Sequence, residues 1–177
     1  MSDLKISMTM ASNGKLNLKN KECDMDLTQM TCAVKIAIIF SGIFLWVGML
    51  TGVWKYIQIR NSEQSRAHYY VDIAHRSSLL YAPASLILAV LAYFSLFSAA
   101  LNLLFVLINV AFFSFSILSY ILHGFLKDTT NQFKTPHMVG KWHLPNILMS
   151  FAMILLIVAE LGGTFGLLLG TALNFIR

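Results

Sequence analysis

The segment Ser65–Ala82, SRAHYYVDIAHRSSLLYA, gathers Arg66, His68, Asp72, His75 and Arg76 at the edge of a long uncharged run. Imidazole moves protons near neutral pH and binds metals, and a carboxylate beside it fixes which ring nitrogen is protonated. On a helix, at about 100° per residue, His68, Asp72, His75 and Leu79 fall within about 60° of one another. Two imidazoles and a carboxylate therefore share one face, and Arg76 is the i+4 partner of Asp72. A second set is longer. Asn109, Ser116, Tyr120 and His123 lie at about 0°, −20°, +20° and −40°, one polar line running from mid-membrane to a rim. The third feature is Glu160, the only charge in its hydrophobic block, which needs a partner such as Arg76 or an imidazole.

The five histidines, His68, His75, His123, His137 and His143, all lie at or between the ends of hydrophobic blocks. Histidine-ligated haem is the cofactor this inventory suits best, because a neutral imidazole donates to iron and an apolar slot between helices can hold the macrocycle. Copper or zinc has less support, since there is no HExxH, no C-x-x-C and no three ligands within one turn. A serine-hydrolase reading fails for want of a G-x-S-x-G turn. Cys23 and Cys32 both precede the first hydrophobic block, where they can pair only if the tail faces an oxidising compartment.

The elements that must position these groups are membrane spans. Hydrophobic residues make up 57% of the 177 and charged residues only 12%, far from the soluble balance. From Arg76 to Lys127 there is no intervening charge; one helix of that length would run about 75 Å, over twice the ~30 Å hydrocarbon core, so the chain turns back within it. The expected organisation is a polar tail over 1–32 and an all-α integral membrane four-helix bundle over 33–177, with spans near 33–55, 69–97, 101–125 and 144–175. Pro83 should kink the second span, and 124–142 reads as a surface loop. An even number of spans places both ends of the bundle on one side, and the balanced distribution of Lys and Arg leaves the orientation open. The net charge of +5 is dispersed without a basic run or interleaved aromatics, which argues against a nucleic-acid partner.

In lipid, helices approach through small residues and buried polar groups. Gly162, Gly166 and Gly170 form a ridge on span four beside Glu160, Thr164, Thr171 and Asn174, and Gly48 and Gly52 repeat the four-residue spacing on span one. The polar groups should face a shared interior site for a small apolar molecule. A non-catalytic subunit or scaffold that uses the glycine ridge as a protein interface is the alternative.

Arg66-Ala67-His68 opens the second span, and Asn131-Gln132-Phe133, followed by Pro136, lies between spans three and four. With the order and number of spans, these motifs resemble styrene oxide isomerases and, more distantly, hydroxylaminobenzene mutases. The resemblance implies a haem b protein of the bacterial inner membrane that assembles as a trimer and isomerises a small apolar substrate such as an epoxide. It further implies that His68 is the axial ligand and that span-three side chains, Tyr120 foremost, steer the reacting substrate; from its shared face with His68, His75 is the second cofactor-binding candidate, and from the polar line Asn109 is the second catalytic one. Two family positions are not matched: the residue six after His68 is Ala74, and span three carries Asn109 but no Asp.

Overall fold

Four apolar stretches, each long enough to cross a bilayer, become four helices: α1 (Cys32–Arg60), α2 (Tyr69–Phe94), α3 (Ala99–Leu126) and α4 (Asn146–Ile176). The computed structural model describes residues 30–129, 131 and 145–177 together with the backbone of 137–139 and 142–144. The tail through residue 29 with Cys23, the Gln132–Phe133 and Pro136 part of the second motif, and the side chains of His137 and His143 lie outside the described residues. Cys32 is exposed at the start of α1.

The four helices form an all-α bundle whose outer faces are apolar, with Trp46, Ile39, Leu80, Leu118, Phe151 and Val158 all exposed. Such surfaces suit acyl chains, and the protein is an integral membrane protein. Helix α1 packs on α2 and α3, and α4 packs on α3 and α2. Helix α1 runs one further turn than expected, to Arg60, and α2 continues as α-helix through Pro83. The hydroxyl of Ser41 donates to the Ala82 carbonyl beside the proline at 2.8 Å. Between α2 and α3 the chain reverses over Ser95–Ser98, where the Ser98 side chain caps α3 by accepting from the Leu101 N–H.

Two expectations need correction. The segment read as loop contains a short antiparallel pair, β1 (His137–Val139) with β2 (Trp142–Leu144), registered Met138 to His143. A hydrogen-bonded pair satisfies backbone groups that a bare loop would leave to water. The inward glycine face of α4 also differs from the expected ridge at one position, with Gly163 in place of Gly162 beside Gly166 and Gly170. A Cβ on Gly163 would meet the side chain of Asn109, one on Gly166 the ring of Phe105 at 2.6 Å, and one on Gly170 the Ser95 hydroxyl, whereas Gly162 has nothing within 4 Å. Spacings of three and four residues follow the 3.6-residue turn better than strict fours. Gly163, Gly166 and Gly170 thus seat α4 inside its own bundle. On α1, Gly48 and Gly52 lie against Leu79 and His75 of α2.

This packing is uneven along α4. Its buried residues, Gly163, Leu167, Gly170 and Thr171, all belong to the C-terminal half. There Thr171 donates to the Leu91 carbonyl, Asn174 to the Phe94 carbonyl, and the Leu96 N–H to the Gly170 carbonyl. The N-terminal half carries Met149, Met153 and Leu156 on the corresponding face, and side chains of that size hold the helix away from α3.

Candidate functional site

The splay of α4 leaves a cleft of about 530 Å³ between α2, α3 and α4. Tyr81 of α2, Ser116, Tyr120 and His123 of α3, and Met149 and Met153 of α4 are among its walls. Phe115 and Leu118 at its edge are 58% and 64% exposed, so the cleft opens toward lipid. Its size and mostly apolar walls, with a few convergent polar groups, are those of a small-molecule site.

Helical periodicity builds the polar wall. Asn109, Ser116 and His123 recur every seven residues and are all buried, with Tyr120 on the same line and half-buried. Asn109 is engaged within the bundle: its Nδ2 donates to the Phe105 carbonyl one turn back on α3 at 2.9 Å, and its Oδ1 accepts from Thr164 of α4 at 3.0 Å. It does not line the cleft. Ser116 approaches the Tyr81 phenol. Tyr81 stacks on Phe113 with ring centroids 4.3 Å apart, and Tyr120 stacks on Tyr70 at 6.1 Å. Rings backed in this way are fixed in position.

At the rim, His123 and Asp128 form a pair. Helix α3 ends at Leu126, and Lys127 takes the left-handed conformation, φ 52°, with its N–H bonded to the His123 carbonyl. The chain therefore doubles back, and Asp128 Oδ1 accepts from His123 Nδ1 at 2.9 Å. The two side chains are 4% and 6% exposed, so the bond is sheltered from water. With the proton of the neutral imidazole held on Nδ1 by the carboxylate, Nε2 carries the lone pair. That is the arrangement of a general base.

Glu160 stands one turn beyond Leu156 on the cleft-facing stripe of α4. Its Oε1 is buried without a partner, and among the described residues no cation pairs with it. It acts electrostatically on both cleft phenols, Tyr81 and Tyr120. Neither Arg76 nor a described imidazole supplies the expected partner.

The face of α2 carrying Asp72 and His75 is turned elsewhere. Asp72 pairs with Lys55 of α1 and with Arg76 at 3.1 Å. His75 Nδ1 lies 2.7 Å from the Gly48 carbonyl, with the ring packed on Gly52. Both groups thus join α1 to α2, away from the cleft.

His68 is the N-cap of α2, and its backbone N–H donates to Gln58 Oε1 at 2.8 Å. Burial first, then Lys127 nearby, pushes the imidazole below its usual range, with Asp128 opposing. Its Nδ1 is buried without a partner. As a donor His68 suits an iron, being neutral with an unused nitrogen; it does not line the cleft, and His75 is committed to α1.

Sequence reasoning passed over Tyr81 and Asp128. Tyr81 was legible as the phenol near the middle of α2. Asp128 was not, because its role depends on the left-handed turn at Lys127, a conformation few non-glycine residues adopt.

Fold and site together define a four-span membrane protein with a lipid-facing cleft. Comparison with protein-family models, with curated proteins and with solved structures finds no match.

Proposed function

We propose that the cleft takes a small, largely apolar molecule from the bilayer and isomerises it by proton transfer at its polar wall. The observation that carries this reading is the sheltered His123–Asp128 pair on the wall of an apolar cleft. His123 Nε2 accepts a proton from the bound molecule and returns it at another atom, Asp128 holds the imidazole in the required tautomer, and the Tyr120 phenol donates a hydrogen bond to a substrate oxygen. Composition is conserved and no oxidant is consumed. The resemblance of the motifs makes an aryl epoxide the first substrate to test, and a bacterial inner membrane the expected setting. With that substrate the benzylic C–O bond breaks as His123 Nε2 takes a proton from the adjacent epoxide carbon, and the oxygen stays on that carbon as an enolate hydrogen-bonded by Tyr120. Return of the proton to the benzylic carbon gives the isomeric aldehyde.

The test uses purified protein in lipid nanodiscs with product read by gas chromatography. His123→Ala should lower turnover by about 10²- to 10⁴-fold, the usual worth of a general base. Asp128→Asn should lower it less, and Ala152→Trp should abolish binding by filling the cleft. Full turnover in His123→Ala would overturn the assignment.

One observation favours a second reading, haem b held by His68: the buried, unpartnered Nδ1 on an imidazole kept neutral. When bound, haem would supply a Lewis-acidic ferric iron. A visible absorption band lost in His68→Ala supports that reading, and a preparation that stays colourless after hemin addition rejects it. A homotrimer belongs to the same reading and is tested by the mass of the detergent-solubilised particle.

A further inference from the structure

The two ends of the cleft differ chemically. His123, paired with Asp128, lines the rim, while one helical turn beyond Leu156, the last α4 residue of the wall, stands Glu160, a carboxyl that no described side chain answers. From Met149 through Met153 and Leu156 to Glu160 the spacings are four, three and four residues, which puts the carboxyl in line with the walls. Thr164, one turn further on, is already bonded to Asn109 and gives Glu160 nothing. Lys55 and Arg76 are engaged elsewhere, both on Asp72. Charged groups within a bilayer are expensive and are kept where they meet a partner or a transported or bound species. Here no described residue is the partner, and the two phenols on which the carboxyl acts, Tyr81 and Tyr120, line the cleft.

From this placement we infer that the cleft is selective for charge: its preferred ligand is an amphipathic cation, an aromatic or aliphatic body bearing one ammonium group, with the ammonium at Glu160. This rests on the reading that the cleft admits small, largely apolar molecules. Three features of the site fit such a ligand. Glu160 supplies the counter-charge. Tyr81 and Tyr120, held by their stacking on Phe113 and Tyr70, offer electron-rich rings beside it, and aromatic rings attract quaternary ammonium groups. The methionines and leucines of α4 accept the apolar body, and methionine adapts to varied shapes.

The probes are benzyltrimethylammonium and its neutral carbon isostere neopentylbenzene, titrated calorimetrically into the full-length protein in nanodiscs of zwitterionic lipid. The cation should bind at least about tenfold more tightly than the isostere, the ratio expected of one desolvated charge pair. Glu160→Gln should bring the two affinities to within about twofold, mainly by weakening the cation, while neopentylbenzene binding persists as evidence of an intact cleft. Equal affinities for both probes in the unaltered protein would overturn charge selectivity and leave the cleft reading standing. Failure of both probes to bind, together with failure of Ala152→Trp to change anything, would overturn both. A preference that survives Glu160→Gln would overturn the assignment of the carboxyl.

Discussion

At the scale of single residues, function depends on which polar groups are already spent. Asn109, His75 and Asp72 have partners within the bundle, and His123, Tyr120 and Glu160 have capacity left over. The line from Asn109 to His123 was legible in the sequence because 3.6-residue periodicity alone puts those side chains on one face. Their division into spent and unspent was not, since it is decided by Thr164 on α4, Gly48 on α1 and the turn at Lys127. His68 gives a direct residue-level prediction. Its imidazole is held below the usual value of 6.5 by burial and by Lys127, with Asp128 acting the other way. Above about pH 6.5 the group is neutral in native and unfolded chains alike and contributes nothing to pH dependence. Below that, the unfolded chain binds more protons, so stability falls with pH until the native imidazole also protonates. An NMR titration should find the midpoint below 6.5, raised in Lys127→Gln and lowered further in Asp128→Asn. A midpoint above 6.5 in the unaltered protein would show that the rim is not dry.

At the scale of elements, the cleft exists because α4 is two different helices end to end. Its C-terminal half has glycine at 163, 166 and 170 and comes close to α3 and to the α2–α3 turn; its N-terminal half has Met and Leu there and stands away. The small-residue spacing was visible in the sequence. That Gly163 and not Gly162 joins Gly166 and Gly170 was not, because 162 lies about 40° to one side of Gly166 and 163 about 60° to the other, and only the neighbouring helices choose between them. The choice can be measured. Gly163→Ala and Gly166→Ala should each lower stability by about 1–3 kcal/mol through overpacking against Asn109 and Phe105. Gly162→Ala should stay within about 0.5 kcal/mol of the unaltered protein, as a substitution in open space does. Reversible unfolding in mixed micelles reads all three, and an equal loss at 162 and 163 would contradict the inward face assigned here.

For the whole molecule, four spans put Thr31 and Arg177 on one side of the membrane and the connections at 61–68 and 127–145 on the other. In a background without Cys23 and Cys32, cysteines placed at Ser62 and Asn131 should react with an impermeant maleimide from one side, and a cysteine at Arg177 only from the other. That topology was fixed by hydrophobic length and charge spacing, the features of a sequence least sensitive to tertiary detail. The cleft itself is a property of the assembled bundle, and it carries the functional argument. It is tested most directly by photolabelling the protein in a bilayer with a small aryl diazirine and mapping adducts by mass spectrometry. Adducts should concentrate at Tyr120, His123, Met149 and Met153 and be suppressed by excess unlabelled neopentylbenzene. Labelling spread over Trp46, Phe151 and Val158, with nothing saturable at the cleft residues, would contradict it.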